Sequence, residues 1–84
     1  MAILVTGASA GFGEAMCRTF AQAGYFVIGA ARRGEKLQAL AAELGERFYP
    51  LEMDVSRTES IRNALDSLPE NFAEIDCLIN NAGL

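Results

Sequence analysis

Histidine is absent from this 84-residue chain, and its two cysteines, Cys17 and Cys77, stand far apart. No Cys/His pattern of the metal-ligating kind is therefore available. The cysteines, one in the first helix and one in a late strand, are expected to be small buried hydrophobes in a reducing compartment, with a disulfide or a reactive thiol as the alternative. An excess of positive charge is also missing. Seven Lys and Arg against eleven Asp and Glu leave a net charge of −4, which argues against a surface for a nucleic-acid backbone. No apolar run approaches the ~20 residues of a membrane span. No basic leader followed by an apolar core precedes the first strand, so the cytoplasm is the expected location. The length allows at most one small, marginal domain. A hydrophobic share of 51% allows a packed core and argues against disorder.

Strand-like and helix-like segments alternate along the chain. Residues 2–5 read as strand one. Residues 11–23 read as helix one, with Phe12, Met16, Phe20 and Ala23 as its apolar stripe and Gly24 as its stop. Residues 25–30 form a nearly continuous apolar run, suited to a strand covered on both faces. In Glu35–Leu44, the residues Leu37, Leu40, Ala41 and Leu44 keep helical spacing, and Gly45 closes the segment. Residues 47–53 form a third strand. Pro50 assigns it to a sheet edge, because proline cannot donate to the ladder. Ser56-Arg57-Thr58-Glu59 reads as a capping box opening helix three, which Pro69 ends, and residues 75–80 form strand four. Three such repeats predict a parallel, doubly wound α/β sheet of order 3-2-1-4 with three helices, with its ligand crevice at the carboxyl ends of strands one and four.

Thr6-Gly7-Ala8-Ser9-Ala10-Gly11-Phe12-Gly13 joins strand one to helix one. Strand, glycine turn and helix together hold a pyrophosphate: backbone N–H groups face the ligand, and the helix N-terminus adds partial positive charge. Gly7 permits a tight exit from the strand, Gly11 lets the backbone approach the phosphates, and Gly13 lets helix and strand pack closely. Ser9 adds a hydroxyl on the same turn, although serine is also a good turn residue. After strand two, where an acid commonly holds the adenosine ribose, stand Ala30, Ala31, Arg32 and Arg33, and the first acid is Glu35. A guanidinium pairs with a 2′-phosphate that a carboxylate would repel, so NADP(H) is favoured over NAD(H). The plain alternative is two solvated charges at a helix entrance. Asp54 and Val55 follow strand three, suited either to adenine or, for Asp54, to the positive end of helix three. Asn80-Asn81-Ala82-Gly83 follows strand four. Its amides suit either the tying of strand ends or a cofactor ribose.

With the Thr-Gly-x-x-x-Gly-x-Gly turn and the Asn-Asn-Ala-Gly run in this order and separation, the whole chain resembles the N-terminal part of a short-chain dehydrogenase/reductase, a Rossmann-type fold. The resemblance implies that Gly7, Ser9, Gly11, Phe12 and Gly13 line the pyrophosphate and adenosine. It also implies that Arg32 and Arg33 hold the 2′-phosphate of NADP, that Asp54 and Val55 hold adenine, and that Asn81 approaches the nicotinamide ribose. The run Ala10–Glu14 with Ala31-Arg32-Arg33 and Glu35-Lys36-Leu37 is similar to that of the NADP-dependent 3-hydroxy acid dehydrogenases, which oxidise serine, L-allo-threonine and related 3-hydroxy acids. The family's catalytic serine, and its tyrosine four residues before a lysine, have no counterpart: Tyr25 is followed four positions on by Gly29, and Tyr49 by Met53. Residues 1–84 are thus expected to be the cofactor-binding portion of one domain that continues past strand four, inactive alone. The resemblance implies a homo-oligomer for the longer protein. A non-catalytic dinucleotide-binding module that completes its sheet with a partner is the alternative reading.

Overall fold

The computed structural model describes residues 2–9, 11–54 and 56–80. Its strands are β1 (Ala2–Thr6), β2 (Phe26–Ala31), β3 (Phe48–Glu52) and β4 (Ile75–Ile79). Its helices are α1 (Gly11–Gln22), α2 (Glu35–Leu44), α3 (Thr58–Asp66) and the single turn α4 (Glu70–Ala73). The strands form one parallel sheet of order β3-β2-β1-β4, the order that the alternation predicts. β3, with Pro50, lies on an edge as expected.

Side-chain alternation splits the core into two layers. Ile3, Val5 and Val27 face Cys17 and Ala21 of α1 and Leu37 and Leu40 of α2. Ala2, Leu4 and Ile28 face Ala64 of α3 and Phe72 of α4. Both faces of β2 are covered, which is why its sequence is a continuous apolar run.

Glycine sets the ends of two helices. Gly24 adopts φ 98°, its N–H donates to the Ala21 carbonyl at 3.0 Å, and the Tyr25 N–H donates to the Phe20 carbonyl at 3.1 Å. Tyr25 then meets Phe20 edge-on, with ring centroids 6.3 Å apart, completing a Schellman stop with its hydrophobic contact. Gly45, at φ 69°, donates to the Ala41 carbonyl and closes α2. A 3-10 turn over Gly45–Arg47 then feeds β3.

Four expectations are corrected. The buried face of α1 is Gly13, Cys17 and Ala21, whereas Phe12 and Ala23 are exposed and Met16 and Phe20 half-buried. The close approach of α1 to the sheet favours small residues, so the bulky stripe flanks the contact rather than making it. Cys77 is exposed, because β4 has β1 as its sheet neighbour on one side only and Cys77 and Leu78 are uncovered among the described residues. The capping box does not form. Arg57 is the N-cap of α3 and makes no side-chain cap, while Ser56 turns back to Asp54. The described residues also form four α-helices rather than three: Pro69 stands immediately before α4, whose Phe72 fills the second core layer against Phe26 and Tyr49.

Candidate functional site

Because all four strands are parallel, their carboxyl ends gather at one end of the sheet. There lie the glycine turn after β1, Arg32 and Arg33 after β2, Asp54 after β3 and Asn80 after β4. The direction of winding reverses at β1, where parallel α/β sheets form their ligand crevice.

The glycine turn is held from below. The Ala8 N–H donates to the Ala30 carbonyl at 3.0 Å, and the Ala8 side chain is fully buried. Gly7 takes φ 65°, a conformation that glycine adopts without steric cost, and so turns the chain sharply out of β1. Gly11 has no positive φ, and apart from its chain neighbours and the backbone of its own helix no atom lies within 4 Å of where a β-carbon would project. Nothing in the described protein itself therefore requires glycine there, and the space above it is open to a ligand at the start of α1. Gly13 is buried where α1 meets the sheet. Ser9 is half-buried on the turn, and Phe12 is 75% exposed on the first turn of α1. A large aromatic ring so open beside a crevice has apolar surface to offer a ligand.

Arg32 and Arg33 are exposed, and neither forms an ion pair or hydrogen bond among the described residues. Two of the other arginines are engaged. Arg18 bridges Glu14 and Glu43, and Arg47 donates to the Gly24 carbonyl at 2.7 Å and lies over the Phe26 ring. β2 itself ends without a carboxylate, in Ala30 and Ala31, both buried. The Met53 N–H donates to the Ala31 carbonyl at 2.8 Å, which fixes the ends of β2 and β3 together.

Asp54 is partly engaged by its own loop. Its Oδ1 accepts from the Ser56 hydroxyl at 2.7 Å and the Ser56 N–H at 3.0 Å, while its own N–H donates to Ser60 Oγ at 3.0 Å. The hydroxyl and N–H of Ser56, helped by the charges of Arg32 and Arg57, hold its carboxyl below the usual range, so it stays an ionised acceptor. Ser56 and Ser60, which hold Asp54 in place, are not among the site residues the sequence points to. The Asp-x-Ser spacing is the signal of an Asx turn that would have found Ser56. Asn80 does what strand-tying requires, its Oδ1 accepting from the buried Thr6 hydroxyl at 3.0 Å. Val55 and Asn81 lie outside the described residues, as do Ala10, Ala82 and Gly83. The structure thus brings together Gly7, Ser9, Gly11, Phe12, Gly13, Arg32, Arg33 and Asp54. Among the described residues no group of three or more His, Cys, Asp or Glu is placed to hold a metal, and no helix is long and apolar enough to cross a membrane.

A family model described as short chain dehydrogenase matches residues 1–84. The chain is 50% identical over 82 residues to serine 3-dehydrogenase of Agrobacterium fabrum, covering 98% of this chain and 33% of that protein. It is 50% identical over 84 residues to the NADP-dependent 3-hydroxy acid dehydrogenase YdfG of Escherichia coli, covering 100% of this chain and 34% of that protein. The solved closed form of serine dehydrogenase complexed with NADP+ superposes with a TM-score of 0.95 at 50% identity, over 100% of this chain and 34% of that one. The chain spans about a third of the length of these relatives. On the family match over its full length, and on a parallel 3-2-1-4 sheet carrying the glycine turn, the chain belongs to the short-chain dehydrogenase family.

Proposed function

We propose that the protein is an NADP(H)-dependent oxidoreductase acting on an alcohol or carbonyl of a small molecule, a 3-hydroxy acid of the serine or L-allo-threonine type. Residues 1–84 are its cofactor-binding portion, within one domain that continues beside β4, and the whole works in the cytoplasm as a homo-oligomer. The observation that carries the cofactor reading is the pair Arg32–Arg33, without ion-pair or hydrogen-bond partners among the described residues, at the end of a strand that has alanines where a ribose-binding acid would stand. The names of the relatives, a serine 3-dehydrogenase and an NADP-dependent 3-hydroxy acid dehydrogenase, support both cofactor and substrate class.

In this reading Gly7, Ser9, Gly11, Phe12 and Gly13 receive the pyrophosphate and adenosine, with the open space above Gly11 taking the phosphates. Arg32 and Arg33 pair with the 2′-phosphate through charge-assisted hydrogen bonds. Asp54, kept ionised by Ser56, has its second carboxylate oxygen left to accept from the adenine amino group, and Val55 covers the ring. Asn81 approaches the nicotinamide ribose. NADP(H), when bound, supplies or accepts the hydride. The exposed β4, with Leu78 at 60% exposure, offers the edge on which further strands of the same domain would pair.

The test is a fluorescence titration of the intact protein with NADPH and NADH. Replacing both Arg32 and Arg33 by Ala should weaken NADPH by roughly ten- to a hundredfold, the loss expected for charged hydrogen bonds, and NADH by less than about threefold. Equal weakening of the two cofactors would remove the 2′-phosphate assignment.

A further inference from the structure

The base of the arginine turn carries a negative charge. Glu52, the last residue of β3, is the register partner of Ala31 at the end of β2. A β-carbon added at Gly34 would lie 2.7 Å from Glu52 Oε2, so this carboxylate rests against the backbone directly after Arg33. Gly34 has φ −87° and ψ −12°, an ordinary right-handed conformation open to any L-residue. Backbone geometry therefore does not demand glycine there, and a side chain at 34 would have to move the flexible, exposed Glu52 carboxylate aside. Gly34 is also the N-cap of α2 and makes no side-chain cap, so the first N–H groups of α2 present their partial positive charge to that region. Glu52 itself is exposed and forms no ion pair among the described residues. Other charges in this region include Arg57 and Glu59, which line a groove of about 450 Å³ with Glu52, Asp54, which lies within reach of the Arg32 charge, and Glu35, which directly follows Gly34 at the start of α2.

We propose that Glu52 is a specificity-determining residue of the cofactor site: seated on Gly34 at the base of the Arg32–Arg33 turn, it limits how strongly that turn prefers a 2′-phosphorylated cofactor. The inference rests on the NADP(H) reading above. A 2′-phosphate brings up to two negative charges to the turn, and the Glu52 carboxylate opposes them while leaving the ribose hydroxyls of NAD(H) nearly unaffected. Glycine at 34 keeps the carboxylate close. Two arginines alone would hold the cofactor more tightly than the turn does with Glu52 in place, and the carboxylate thereby favours release.

The experiment measures the ratio of NADPH to NADH dissociation constants for the intact protein at low and at high salt. Glu52→Gln, which keeps shape and removes charge, should raise the preference for NADPH by roughly two- to fivefold at low salt, the size expected of one exposed charge acting on another. The effect should shrink at high salt. Gly34→Ala keeps every charge but displaces the carboxylate, and should move the ratio in the same direction by a smaller factor. Glu59→Gln, the same charge change on α3, should move it less than Glu52→Gln. If the unaltered protein prefers NADPH but Glu52→Gln leaves the ratio unchanged, lowers it, or acts no more strongly than Glu59→Gln, the role of Glu52 is wrong. If the unaltered protein shows no preference for NADPH, the cofactor reading itself fails.

Discussion

Gly29 ties the packing of the sheet to the position of the cofactor turn. It lies in β2 beneath the glycine loop, and a β-carbon there would press into the buried Phe48 ring, 2.6 Å from Cε1 and closer still to Cζ. The same atom would lie 3.1 Å from the Ala8 side chain. Phe48 is 4% exposed, so its ring has no solvent to move into. Adding one methyl group to a filled core costs about 1–3 kcal/mol. Alanine also restricts the unfolded chain, which returns about 0.4–1 kcal/mol. Gly29→Ala should therefore lower stability by about 1–2 kcal/mol net. The assay is urea unfolding of the intact protein, with Phe48→Leu and the double variant completing a cycle. Phe48→Leu alone leaves a smaller side chain and destabilises. In the double variant the two changes should offset each other, with a coupling of about 1 kcal/mol between these touching residues. Pressure on Ala8 should also weaken NADPH binding in Gly29→Ala under conditions where it stays folded. Stability within about 0.3 kcal/mol of the unaltered protein, or strict additivity of the two substitutions, would refute the reasoning.

Two further outcomes concern titrating groups. Burial, with the Glu14 charge adding to it, pushes the Cys17 thiol up to about 11 from its ordinary value of 9.0. Its contribution to stability is complete below pH 9.0 and is lost as the pH rises through about 11, because the unfolded chain gives up the proton first. Cys17→Ala should flatten this alkaline loss in urea titrations, and Cys17 should resist alkylation until the protein unfolds. Asp54 behaves oppositely: its folded carboxyl is held below the ordinary range, so its contribution is present above the unfolded value and disappears as acid protonates the folded carboxylate. Carboxyl NMR titration of Ser56→Ala should find the Asp54 pKa shifted upward, since the hydroxyl at 2.7 Å is gone.

Much of the sheet was legible because its signals are local and redundant. Apolar runs bounded by Gly24 and Gly45 place the strands and the helix stops, and Pro50 marks the edge. The features that escaped depend on what lies opposite a residue. Phe12 has helical spacing with Met16 and Phe20, yet the sheet accepts Gly13, Cys17 and Ala21 because only small side chains allow close approach. Cys77 sits in an apolar run, but nothing described covers that part of β4. Ser56 three places before Glu59 satisfies a capping pattern, but its N–H, which Glu59 would accept in a capping box, donates to the Asp54 carboxylate instead, and its hydroxyl donates there too. Phe72 lies in a short segment with too few residues to show periodicity, and its aromatic neighbours are distant in sequence. The placement of Gly7, Arg32 and Arg33 at strand ends could be read from residue type and strand position alone. The contact of Glu52 with Gly34 could not, because it arises from the pairing of β2 with β3.

The central claim is that the carboxyl end of β2 receives a 2′-phosphate. Calorimetric titration of the intact protein with adenosine 2′,5′-bisphosphate and with adenosine 5′-monophosphate isolates that end of the cofactor from the nicotinamide. The account predicts at least about tenfold tighter binding of the bisphosphate, consistent with at least one charged hydrogen-bond pair, and loss of the difference when Arg32 and Arg33 are both replaced by Ala. Equal affinities for the two nucleotides in the unaltered protein would contradict it.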